Sequence, residues 1–269
     1  MFTPFVPGEK LLEREPFLKD EVRFNLCHRI VEDPEAIALK ANNDALAVQN
    51  PGRRMWLWIN QSLDKPSTEE LIHTLCFQLK DSKLPGIAAK PEHVSIFADE
   101  YSRLTNMTYS EAMVMESYYC PEVMPPENVE GRMITPDAQH LDIIAEFCVG
   151  FVLDGFGKSV SKDSQLGTAE RLINSGNLFL WETHGHVVSM ANIAHRTKRH
   201  ARINNVYTPP QCRKNGFASA LVAELSKRLL TEGLTPMLYA DVKTPASNKV
   251  YRSIGYKECG MIRELDFKY

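Results

Sequence analysis

What this chain lacks narrows its possibilities first. It has no C-x-x-C pair and no Cys/His grouping at zinc-ligand spacing. Its six cysteines, Cys27, Cys76, Cys120, Cys148, Cys212 and Cys259, stand singly, which argues against a zinc ribbon or a dithiol motif and fits inert thiols in a reducing compartment. Long apolar runs are missing too. The longest near-apolar stretch, Phe147 to Leu153, is far short of the roughly 20 residues that cross a bilayer. Met1 to Glu9 is too polar and too short for a signal peptide, so a cytoplasmic protein with no membrane partner is expected. Positive charge is not in excess: 31 Lys and Arg against 34 Asp and Glu leave a formal −3. No global basic field therefore waits for a polyanion, and nucleic acid is not an expected partner. Neither G-x-x-x-x-G-K-[ST] nor G-x-G-x-x-G follows a strand-like run, which disfavours P-loop and dinucleotide-binding enzymes.

What is present is enough for a globular protein. The 269 residues are 43% hydrophobic and 24% charged, a balance that supports one large or two ordinary cores. Prolines and a glycine are densest between Cys120 and Gly131, and a domain boundary is placed there, between an N-terminal segment 1–125 and a C-terminal segment 131–269. In the first segment, Met55 to Ile59 reads as a buried strand. Ser67 reads as the cap of a helix running to Leu79, with Glu70 completing an S-x-x-E box. After the boundary come a short strand at 132–134, a helix with apolar Leu141, Ile144, Phe147 and Phe151, and a second helix from Ser164 to Ile173. Strands Leu178 to Glu182 and Val187 to Ala194 flank a hairpin turn, and Arg202 to Tyr207 is a third strand. A helix from Gly216 to Leu230 follows, then a strand Met237 to Val242. A short helix opened by Pro245 and Ser247 ends near Gly255, before a last strand. No sequence repeat or low-complexity segment is found.

The chemistry concentrates in Val206-Tyr-Thr-Pro-Pro-Gln-Cys-Arg-Lys-Asn-Gly-Phe-Ala218, between a strand and a helix start. Amide N–H groups at a helix start have no intrahelical acceptor, and together with the positive end of the helix dipole they suit phosphate oxygens. Gly216 allows close backbone approach, small Ala218 keeps the first turn clear, and Arg213 and Lys214 add positive charge. Cys212 precedes this loop, but no base that would make it a nucleophile is apparent. The Arg-x-x-Gly-x-Ala spacing of Arg213, Gly216 and Ala218 resembles the pyrophosphate loop of the GNAT acyltransferases. Asn248-Lys-Val-Tyr251-Arg-Ser-Ile-Gly255-Tyr256 is similar to that family's later motif. Lys214 stands where many members have glycine.

The resemblance covers 132–269. It implies an α/β class with a mixed sheet flanked by helices in a GNAT-like C-terminal domain, preceded by a smaller α/β domain that is either an acceptor-site wall or a degenerate GNAT-like half. It further implies acetyl-CoA as cosubstrate, with no metal, and an N-acetyltransferase in which a primary amine of a small molecule attacks the thioester directly. Val206, Tyr207, Thr208, Arg213, Lys214, Asn215, Gly216, Phe217, Ala218, Asn248 and Tyr251 would hold the cosubstrate. Tyr251 would act as acid toward the leaving thiolate. Asp241 and Glu182 are the candidate carboxylate bases, with His195 a further option, and the basic run Arg196 to Arg202 reads as a solvated turn. Two alternatives stand beside this reading: an amino-acid N-acyltransferase with tandem GNAT-like halves, and a non-catalytic acyl-CoA sensor. A monomer or homodimer is expected.

Overall fold

The computed structural model describes residues 1–6 and 8–268, so Tyr269, the end of the expected second segment, lies outside it. The chain forms two compact units. Unit 1 comprises Met1–Ser117, Ala240–Lys243 and Glu258–Tyr269; unit 2 comprises Tyr118–Tyr239 and Thr244–Lys257. Where the sequence suggests one boundary at 125–131, the contacts divide the chain after Ser117 and group the end of the chain with the first unit.

Unit 1 contains strands β1 (Thr3–Pro4), β2 (Ile37–Ala41), β3 (Ala45–Gln49), β4 (Met55–Ile59), β5 (Gly86–Ala89) and β6 (Thr108–Tyr119), with helices α1 (Phe17–Asp20), α2 (Leu26–Ile30), α3 (Lys65–Leu79) and α4 (Pro91–Thr105). Strands β1 to β4 pair antiparallel in sequence order, and β4 runs parallel to β5. Every residue of β4 is buried, as a strand covered on both faces requires. The C-terminal strand Lys257–Lys268 lies antiparallel against β5. Gly86 makes that approach possible, because a Cβ there would stand 2.2 Å from the Leu265 carbonyl oxygen. Arg54 fastens the same strand through Asp266 (2.7 and 3.0 Å) and Glu264 (2.9 Å). The start of α3 departs from expectation. The Asp64 carboxylate, not Ser67, is the cap, and it accepts from the Ser67 amide at 2.8 Å. An acidic cap three residues earlier satisfies the amide that a Ser67 cap would leave inside the helix, and Pro66 is tolerated because first-turn residues donate no intrahelical bond.

Unit 2 contains β7 (Arg132–Ile134), β8 (Leu178–Thr183), β9 (His186–Arg196), β10 (His200–Tyr207) and β11 (Thr235–Asp241) as far as Tyr239, with helices α5 (Leu141–Phe156), α6 (Lys162–Asn174), α7 (Phe217–Thr231) and α8 (Pro245–Ser253). Its strands are ordered β11-β10-β9-β8-β7, antiparallel except for the parallel β10–β11 pair. The hairpin between β8 and β9 turns on His184 and Gly185, both with positive φ, the geometry of a tight two-residue turn. Helices α5 and α6 cover Leu178, Leu180, Met190 and Tyr207 with Ile144, Phe147, Cys148 and Ala169.

Along the chain the same order occurs twice. Strand, two helices, three strands, helix, strand, helix, strand describes β1 through β6, and again β7 through the C-terminal strand. Both passages contain an antiparallel series followed by one parallel pair, β4–β5 and β10–β11. The fold class is the mixed α/β arrangement expected, and it extends over both halves.

Candidate functional site

Two features of unit 2 coincide around β10. The first is a gap. The parallel ladder joins His200, Ala201 and Arg202 to Thr235, Pro236 and Met237 and has no later rung among the described residues, although β10 continues to Tyr207 and β11 to Asp241. On its other edge β10 shifts register against β9 between Asn204 and Tyr207, and Asn205 takes φ 49°. Neither Asn205 nor Val206 has a register partner, the signature of a bulge that turns backbone groups out of the ladder. Buried Ser189 on β9 fixes the end of the strand. Its hydroxyl donates to the Tyr207 carbonyl at 3.0 Å and lies 2.9 Å from the Thr208 hydroxyl.

The second feature is the start of α7. Its cap residue Gly216 has φ 79° and supplies no side-chain bond, and the first intrahelical bond runs from the Ala220 amide to the Gly216 carbonyl. The amides of Phe217, Ala218 and Ser219 thus begin the helix with no intrahelical acceptor. A Cβ at position 216 would come within 2.8 Å of Val129 Cγ2, so glycine is required by space as well as by φ. Exposed Lys214 also has positive φ, at 67°. The Asn215 amide group ties the loop by donating to the carbonyls of Cys212 (3.2 Å) and Arg213 (3.3 Å). Arg213 is already engaged: it pairs with Asp154 on α5, donates to the Thr208 carbonyl at 2.9 Å and stands over the Tyr207 ring.

Helix α8 carries the remaining candidates. Asn248 is buried, its Oδ1 accepts from the Tyr118 hydroxyl at 2.8 Å, and its Nδ2 donates to the Thr244 carbonyl at 2.8 Å, so it locks the start of the helix. Tyr251 is buried between the rings of Tyr118 and Tyr256, with centroids 6.1 and 5.9 Å away. Burial pushes its phenol well above the usual tyrosine range. Its hydroxyl has no hydrogen-bond partner among the described residues. The Tyr256 hydroxyl meets buried Ser226 of α7 at 2.7 Å, which joins the tyrosine cluster to the helix whose start forms the loop.

The two candidate carboxylates stand on different strands. Glu182 on β8 is two strands from β10 and pairs with Arg132 at 3.0 Å. Asp241 ends β11 and accepts from the Lys243 amide at 2.8 Å. Of the cysteines, Cys27, Cys76, Cys120 and Cys148 are buried, and burial raises their thiols, those of Cys120 and Cys148 to about 11. Inert thiols are the consequence. Ser189, Val129, Tyr118 and Asp154 were not legible as site residues, because each acts on the loop or helix from a distant part of the sequence.

A sequence model of the FR47-like protein family matches residues 183–263, from the end of β8 into the C-terminal strand. Solved structures match over nearly the whole chain. One is described as an acetyltransferase of the GNAT family from Colwellia psychrerythraea, at 14% identity, covering 100% of this chain and 99% of that one, TM-score 0.57. Another is a GCN5-related N-acetyltransferase from Sphaerobacter thermophilus, at 15% identity, 100% and 95% coverage, TM-score 0.60. The fold is that of the GNAT acetyltransferases. A Drosophila protein whose description names no activity is similar at 11% identity, 99% and 98% coverage, TM-score 0.64. No curated protein matches the chain. The GNAT fold thus spans both units, in keeping with the GNAT-like half expected before the boundary. Among the described residues, no group of three or more His, Cys, Asp or Glu is placed to hold a metal, and no helix is long and apolar enough to cross a membrane.

Unit 1 has the GNAT order of elements without the features of the site. Its parallel ladder runs to the last residue of β5, pairing Leu57 with Ala89, so no gap opens between those strands. At the following helix, Asp64 covers the Ser67 amide and Pro66 has no amide to offer.

Proposed function

We propose that unit 2 is an N-acetyltransferase that takes acetyl-CoA as cosubstrate and transfers the acetyl group to a primary amine of a small molecule by direct attack. The observation that carries this reading is the pairing of an uncapped helix start at Gly216 with an adjacent gap in the β10–β11 ladder. Amides of Phe217 and Ala218, with Gly216, Asn215, Lys214 and Arg213, suit the diphosphate. To bind it, the Arg213 guanidinium exchanges Asp154 for phosphate. The unpaired backbone of Val206, with Tyr207 and Thr208, suits the amides of the pantetheine arm in the gap.

In the transfer, the amine nitrogen bonds to the thioester carbon, the carbon–sulfur bond breaks, and the nitrogen gives up one proton as the sulfur gains one. Tyr251 supplies the sulfur's proton or a hydrogen bond to it. Its hydroxyl, with its pKa raised by burial of the residue, remains protonated at neutral pH. Asn248 holds that helix in place. The candidate bases remain Asp241, at the end of β11, and Glu182, which pairs with Arg132. One cosubstrate per chain is part of the proposal, because unit 1 lacks both features.

Purified chain with acetyl-CoA and a panel of amines should release free thiol, and coenzyme A should raise its melting temperature. Tyr251→Phe should lower kcat at least tenfold and leave the Kd for coenzyme A within about twofold. Thermal stabilisation without thiol release from any amine would turn the reading to a binding module. The absence of both would end it.

A further inference from the structure

Arg202 is a half-buried cation without an anion. Its Nε donates to His195 Nδ1 at 3.3 Å, and its guanidinium carbon lies 6.0 Å from the centre of the Tyr239 ring. No Asp or Glu pairs with it among the described residues. Other partly buried arginines of the chain do have carboxylates: Arg54 meets Glu264 and Asp266, and Arg263 meets Glu111. Removing a guanidinium from water without a counter-charge is costly. Burial accordingly disfavours its charged form, a cost that an arriving anion removes. The run Arg196 to Arg202, read as a solvated turn, is therefore not uniform: Arg196 is paired at the surface, and Arg202 points inward.

Its place in the sheet matters as much as its burial. Arg202 faces Met237 on the last recorded rung of the β10–β11 ladder, so it marks the closed end of the gap. The phosphate loop follows Tyr207, five residues or about 16 Å farther along the strand. Tyr239 lies two residues beyond Met237 and shares a strand face with it, and that is the face on which the guanidinium rests. With phosphates at 213–218 and the arm in the gap, the thioester comes toward Arg202.

We propose that Arg202 receives the carboxylate of the acceptor, so that the amines this chain acetylates carry a carboxylate a few bonds from the nitrogen, α-amino acids being the simplest. The inference rests on the reading of unit 2 given above. A planar guanidinium grips a carboxylate through two parallel hydrogen bonds, which fixes direction as well as distance. An acceptor held in this way presents its nitrogen to the thioester carbon. An amine without the carboxylate leaves the cation unpaired and is discriminated against.

The test uses the full chain, Arg202→Gln and Arg202→Lys, with matched acceptors: phenylalanine and phenethylamine, tryptophan and tryptamine, glycine and methylamine. The parent chain should favour the carboxylated member of each pair. Arg202→Gln should cut that kcat/KM ratio at least tenfold, through KM, and Arg202→Lys should restore part of it. A binding readout needs no turnover: N-acetyl amino acids added with coenzyme A should raise the melting temperature of the parent chain and of the Lys variant, but not of the Gln variant. A ratio unchanged in Arg202→Gln, a parent chain that prefers the decarboxylated amines, or no Arg202-dependent shift with any N-acetyl amino acid would overturn the inference. So would a loss of coenzyme A affinity in Arg202→Gln that disappears with dephospho-coenzyme A, since the anion would then be the cosubstrate's own phosphate. If coenzyme A itself gives no thermal shift with the parent chain, the reading of unit 2 fails, and that result is visible before any acceptor is added.

Discussion

A side chain at position 216 meets two obstacles. The backbone there is left-handed, at φ 79°, and a Cβ would press on Val129 at 2.8 Å. Gly216→Ala should therefore destabilise the chain by about 1–3 kcal/mol and, by displacing the amides of the first helical turn, raise the Kd for coenzyme A at least tenfold. Thermal melting and calorimetry measure the two effects; unchanged affinity would remove this loop from the proposed site. The demand for glycine at this position was legible in the sequence where it comes from the local backbone, whereas the contact with distant Val129 was not. Arg202 was not. In the sequence it follows Arg196, Lys198 and Arg199, and only the strand neighbours His195 and Tyr239 show that it points inward. Arg213 was legible as a cation near the loop, but its engagement by Asp154 was not, since α5 lies far away in sequence.

Elements with clear periodicity were the most legible. Helices α5, α6, α7 and α8 and strands β8 to β11 lie within a few residues of their expected bounds, since an apolar stripe at helical or strand spacing is a property of a local window. Helices α1 and α2, of four and five residues, are too short for any period to be seen. The misplaced cap of α3 has a different cause. Ser67 and Glu70 imitate a capping box, whereas Asp64, three residues before Ser67, competes with a carboxylate and wins. This cap also separates the two related helices, α3 being sealed where α7 is open. Asp64→Ala should lower stability by about 1 kcal/mol and leave calorimetric stoichiometry at one coenzyme A per chain. A stoichiometry of two in the parent chain would show that unit 1 binds as well.

For the molecule as a whole, a GNAT-like first half was offered only through the family resemblance, because the two passages share a pattern of strands and helices and no recognisable motif. The Arg213–Ala218 motif and the Asn248–Tyr251 motif occur in the second passage only. The C-terminal strand belongs by its contacts to unit 1, where it pairs with β5 and supplies both carboxylates held by Arg54. A chain ended at Tyr256 should thus lose cooperative unfolding of unit 1, seen as a broadened or absent melting transition and rapid amide exchange in β5. A truncated chain that melts like the parent would show the strand to be dispensable.

The same strand sets an order of events during synthesis. A ribosome delivers β5 long before residues 257–268, with the whole of unit 2 made in between. One edge of β5 therefore stays open in the nascent chain and invites pairing with other strands. That exposure lasts until residues 257–268 emerge and pair with β5.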